Sequence, residues 1–156
     1  MKESDLYLPI KAFLEQSGYT VTAEVKDCDL VAQKNDDLIA VELKAGANMQ
    51  VLVQATDRQS ITDSVYVAVP APRKKSASHW RGIKRVLRQL ELGLITVDLN
   101  RREPVVTVLF DPLPYQKKTL SKRRRAVIEE VAGRSGDHNI GGTTGQISVT
   151  AYGGLG

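Results

Sequence analysis

The stretch CDLVAQKNDDLIAVELKAG, residues 28–46, sets three ionic side chains into otherwise apolar runs: Asp29, Glu42 and Lys44. Leu-Ile-Ala-Val-Glu-Leu-Lys has the apolar content of a buried strand, and a carboxylate there is costly unless something compensates it. Alternate strand residues share a face, so Glu42 and Lys44 project together while Ile39, Val41 and Leu43 point the other way. If Asn35-Asp36 is a two-residue hairpin loop, residue 34 pairs with 37 and residue 29 with 42. Asp29 and Glu42 then become direct cross-strand neighbours, Cβ atoms ~5 Å apart. A loop one residue longer or shorter removes that pairing. Facing carboxylates destabilise a sheet, whereas a hard dication held by oxygen ligands reverses the sign. Lys44, beside such an ion, can orient or help deprotonate an attacking water and offset charge on a phosphate. The plainer alternative is a solvated Asp29–Lys44 salt bridge on an exposed sheet face. The apolar character of the strand speaks against it.

These residues need elements to hold them. Leu6, Ile10, Phe13 and Leu14 recur at helical spacing over 4–17, with Gly18 as the stop and Pro9 predicting either a late start or a kink. YTVTAEV (19–25) alternates as a strand, 29–34 and 37–44 follow as strands, and 49–61 reads as a helix. SVYVAVP (64–70) is a strand stopped by Pro70; 78–91 is a helix with Trp80, Ile83, Leu87 and Leu90 on its apolar stripe. GLITVDL (93–99) and PVVTVLF (104–110) are two further strands. The order α-β-β-β-α-β-α-β-β calls for an α/β chain with a mixed sheet and helices on its faces. After Phe110, DPLPY resembles a linker, 121–132 a short helix with Val127, Ile128 and Val131 on one side, and 133–145 a glycine-rich loop. Residues 1–112 therefore form the expected main domain and 113–156 a basic C-terminal extension.

The 156 residues suit one sizeable core, and no apolar run approaches the roughly 20 residues of a membrane span. The N-terminus lacks the features of a secretion signal, so a cytoplasmic protein without a membrane partner is expected. One cysteine and two histidines exclude a disulfide framework and supply a zinc cluster poorly. His138, beside Asp137 in the glycine-rich loop, is read as a bystander, and His79 and Trp80 as the start of the 78–91 helix and core filling.

Taken with the element order, CDLVA and VELK make the chain resemble the PD-(D/E)XK nuclease superfamily, the restriction-endonuclease-like αβββαβ fold. Asp29 supplies the first half of the motif, with Cys28 where the name has proline, and Glu42-Leu43-Lys44 the second. Within that superfamily the chain is similar to an uncharacterised bacterial family of predicted phosphodiesterases, the resemblance covering about residues 3–99. The resemblance implies Asp29, Glu42 and the Leu43 carbonyl as ligands of Mg²⁺ or Mn²⁺, and Lys44 as the catalytic lysine. It implies a first-helix glutamate, for which Glu3 is the candidate and Glu24 the rival. It also implies a glutamine on the helix after the lysine strand, which Gln54 fits. Gln50, Gln54 and Arg58 lie four apart, on one helical face that could meet phosphate or the lysine.

The formal charge is +4 and the pI about 9.2, with the excess clustered. Arg81, Lys84, Arg85 and Arg88 line one side of the 78–91 helix, and Arg123, Arg124 and Arg125 form a second patch with Lys117, Lys118 and Lys122. With Arg58, these are the candidate contacts to a DNA backbone, RNA being the other polyanion of the same chemistry. Cutting both strands of a duplex would call for a homodimer. The rival function is a nucleic-acid-binding module without catalysis on the same fold, and a second is a partner-binding protein with a surface salt bridge.

Overall fold

A computed structural model describes residues 2–25, 28–116 and 120–134. Asp137, His138, Lys117, Lys118 and most of the expected glycine-rich loop lie outside the described residues. The chain divides into two compact units, Met1–Lys117 and Lys118–Gly156.

In the first unit the elements follow the expected order: α1 (Ser4–Gln16), β1 (Thr20–Val25), β2 (Cys28–Lys34), β3 (Asp37–Leu43), α2 (Met49–Arg58), β4 (Ser64–Pro70), α3 (Ser78–Gln89), β5 (Gly93–Asp98) and β6 (Val105–Phe110). The six strands make one sheet in sequence order. β1–β2–β3 is an antiparallel meander, β3, β4 and β5 run parallel through the α2 and α3 crossovers, and β6 returns antiparallel. This is the mixed α/β sheet with an αβββαβ core that the element order called for.

The two faces of the sheet bury different helices. Leu6, Ile10 and Leu14 of α1 pack on Leu30, Ile39, Val41 and Ile95. Val51 and Ala55 of α2, with Trp80 and Leu87 of α3, pack on Ala40, Val65, Val67 and Leu94. Each such fully buried aliphatic side chain contributes roughly 1.5–3 kcal/mol, enough to outweigh the proline inside α1. That helix starts at Ser4 and runs through Pro9, rather than starting late. His79 is exposed; only Trp80 of that pair fills the core.

The hairpin that aligns the two acids forms as counted, with Lys34 opposite Asp37 and the ladder continuing to Leu30 opposite Val41. Asn35 takes the left-handed conformation, φ 55°, which asparagine tolerates better than most residues. In the second unit, α4 (Ser121–Gly133) has Val127, Ile128 and Val131 exposed.

Gly93 is needed for close approach. A Cβ there would lie 2.4 Å from Tyr66 Cδ2 and 2.9 Å from Pro112 Cδ, and Tyr66 is held by its hydroxyl, which donates to Asp111 Oδ1 at 2.7 Å. Gly93→Ala should therefore cost about 1–3 kcal/mol by overpacking. Denaturant unfolding should show that cost shrinking in a Tyr66→Ala background, and equal costs in both backgrounds would contradict it.

Candidate active site

Asp29 and Glu42 meet near the C-terminal end of β3. Extending the β2–β3 register by one step sets them opposite each other, and their carboxyl groups are within hydrogen-bonding reach. Asp29 Oδ2 also accepts the Leu43 backbone N–H at 2.9 Å, which ties the half-buried aspartate across to the strand carrying Glu42. Lys44 follows directly. Its N–H donates to the Ala68 carbonyl at 3.0 Å, continuing the β3–β4 pairing one residue past the strand and fixing the half-buried lysine's backbone.

Glu42 is 1% exposed. Its Oε1 accepts from Arg58 Nε at 2.7 Å, and Arg58 Nη1 donates to Asp57 Oδ2 at 2.6 Å. Arg58, expected at a DNA backbone, is itself 8% exposed and turned inward onto Glu42, so its assignment as a nucleic-acid contact is corrected. The reason lies in the helix. Asn48 caps α2, its side chain accepting the Val51 N–H at 3.0 Å, and the buried stripe then runs Val51, Ala55, Arg58. The Gln50–Gln54–Arg58 row rolls from solvent into that stripe instead of staying on the surface: Gln50 is exposed, Gln54 half-buried and Arg58 buried. The arginine's place at three after Ala55 and seven after Val51 was the signal available in the sequence. Gln54 Oε1 is buried without a hydrogen-bond partner, a costly state that a ligand or water would relieve.

Glu3 and Glu24 come to the same place. Together with Tyr7, Asp29 and Leu43 they line a cleft of about 410 Å³. Glu3 is the α1 N-cap residue and makes no side-chain capping bond. Glu24, at φ 53°, is in the left-handed region, which a glutamate occupies only at a cost of roughly 1–3 kcal/mol. Both candidate glutamates thus border the same cleft. A larger cleft of about 540 Å³ between α2 and α3 is lined mainly by apolar side chains such as Leu52, Ile83 and Val86, and holds none of these carboxylates.

The donor set fits a hard dication. Among the described residues no three His, Cys, Asp or Glu side chains form a ready-made cage. The adjacent Asp29 and Glu42, with Leu43 on the cleft wall, match the one or two carboxylates plus water and phosphate that suit Mg²⁺ or Mn²⁺.

The basic residues of α3 point outward. Arg81 and Arg85 are exposed and Lys84 half-buried. Arg81 donates to the Ser76 carbonyl, and Arg88 stacks on Phe110 at 4.3 Å from the ring centroid. Arg123, Arg124 and Arg125 are exposed on α4. Among the described residues no helix is long and apolar enough to cross a membrane.

Burial and the Asp29 carboxyl push Glu42 up from the usual 4.5 to about 7, against the pull of Arg58. Burial opposes the charge of Arg58, but Glu42 and Asp57 outweigh it and raise its already high pKa. A carboxyl with a raised folded-state pKa gives stability that is complete below about 4.5 and lost as pH rises through about 7. Metal-free protein should lose on the order of 2–3 kcal/mol across that window from this group. Denaturant unfolding against pH should show the loss in the unaltered protein and not in Glu42→Gln; matching profiles would contradict it.

A family model described as "Putative PD-(D/E)XK phosphodiesterase (DUF2161)" matches residues 95–154. No curated protein and no solved structure matches the chain. The family description supports phosphodiester hydrolysis as the general activity. The match begins in β5, beyond Asp29, Glu42 and Lys44, and so supports from a separate segment the PD-(D/E)XK superfamily to which the αβββαβ core and the strand motif also point.

Proposed function

We propose that the chain is a metal-dependent nuclease hydrolysing phosphodiester bonds in DNA, with residues 1–112 as its nuclease-like domain and 113–156 as a basic extension. The observation carrying this reading is the pair of adjacent carboxylates, Asp29 and Glu42, with Lys44 two residues after Glu42 and just past β3. Asp29, Glu42 and the Leu43 carbonyl would hold Mg²⁺ or Mn²⁺. When bound, such an ion supplies Lewis-acid charge at the phosphate and acidity to water. The chain's own residues do the rest. Lys44 places an ammonium where a water must be oriented and where charge builds on phosphorus oxygens. Gln54 brings a buried acceptor that can fix the lysine or the water. Glu3 and Glu24 add negative charge to the cleft and favour a cation there.

Arg81, Lys84 and Arg85 on α3 offer a phosphate-binding face, with Arg88 at its end and Arg123, Arg124 and Arg125 as a second patch. Such contacts do not read sequence and are weakened by salt. They serve RNA equally, and a homodimer would bring two sites to a duplex.

Mg²⁺ or Mn²⁺ should raise the melting temperature of the unaltered protein, but not of Asp29→Ala or Glu42→Ala. Supercoiled DNA should be nicked only with metal. Lys44→Ala should keep the metal-induced stabilisation and lose about 10²-fold or more in rate. DNA retention without cutting, at any metal concentration, would instead favour a binding module.

A further inference from the structure

Burying a guanidinium against a proposed metal ligand is an expensive arrangement. Removing two charges from water costs several kcal/mol per ion, and an apolar pair of similar volume is often as stable or more so. The neighbours of Arg58 on the buried stripe, Val51 and Ala55, are apolar, so an apolar residue would complete the face. The Arg58 guanidinium is also tethered, Nε to Glu42 Oε1 at 2.7 Å and Nη1 to Asp57 Oδ2 at 2.6 Å. A side chain 8% exposed whose guanidinium is held by two carboxylates is poorly placed to swing out when an ion arrives.

We propose that Arg58 is a fixed counter-cation that sets the divalent-ion affinity of the Asp29–Glu42 site. It balances one carboxylate charge before the ion binds. It stays in place afterwards and repels the ion, keeping the affinity weak. This rests on the reading of Asp29 and Glu42 as metal ligands. Arg58 is a positioning residue: it acts on the ion through Glu42 and touches neither substrate nor the reacting atoms. The charge interaction is strong because the pair is dry, with little water between the guanidinium and the carboxylate to screen it.

The test is calorimetric titration of Mn²⁺ into metal-free protein at several pH values between about 7.5 and 9, with affinities compared after correction for the proton released from Glu42, which Arg58 otherwise helps to ionise. Arg58→Gln should tighten binding about tenfold or more, while Arg58→Lys, which keeps the charge, should stay within about threefold. Asp57→Asn removes an acid that partly offsets Arg58 and is 72% exposed, so the fold should tolerate it. It should weaken binding by roughly two- to threefold. A merely structural Arg58 would lower the melting temperature of metal-free Arg58→Gln and leave its affinity unchanged; unchanged or weaker binding overturns the proposal. If Arg58→Gln does not fold, Asp57→Asn decides, and unaltered or tighter binding overturns it. If the unaltered protein takes up no Mn²⁺, or Asp29→Ala binds it equally well, the metal-site reading fails and this proposal with it. Asp29-dependent binding that ignores Arg58 defeats the Arg58 proposal alone.

Discussion

Glu42 is a carboxylate 1% exposed, facing a second carboxylate across a strand pair and an arginine from the next helix. An isolated carboxylate could not stay ionised in such surroundings, and two together are worse. Arg58 provides part of the compensation. The rest must come from a proton or a cation. The site is therefore a built electrostatic debt, localised at one end of the sheet.

Topology explains why the debt is there. β2 and β3 are joined by the shortest practical hairpin, which locks Asp29 opposite Glu42. β3 and β4 are parallel, so the chain must cross over after Lys44, and α2 is that crossover. It lies on the face that Glu42 projects to, which lets Arg58, at its last turn, reach back 16 residues to the carboxylate. α1 covers the opposite face, and its N-terminus brings Glu3 to the cleft that Asp29 and Glu24 border. Three separate segments, α1, β1 and β2, thus deliver acids to one cleft, while Arg81, Arg85 and Arg88 of α3 are exposed.

Much of this was legible in the residues. Strand alternation and a two-residue loop were enough to place Asp29 against Glu42, because hairpin register follows from counting once the loop length is right. The αβββαβ order followed from periodicity. Arg58 was misread because a Gln50–Gln54–Arg58 row looks polar, and a polar row suggests solvent. Whether such a row faces in or out depends on what the strand beneath offers, and here it offers an acid. Glu24 shows another limit. Alternation says which face a side chain takes only while the backbone stays extended, and its φ of 53° breaks that condition. Pro9 was weighed as a helix problem from local propensity alone, whereas the buried Leu6, Ile10 and Leu14 decide the matter through tertiary packing.

The proposed site requires Asp29 and Glu42 to hold one divalent ion jointly. Anomalous scattering from crystals grown with Mn²⁺ addresses it most directly. A single strong peak should touch both carboxylates, with Arg58 still on the far side of Glu42. A peak elsewhere, or none at these two side chains in protein saturated with the ion, would contradict it.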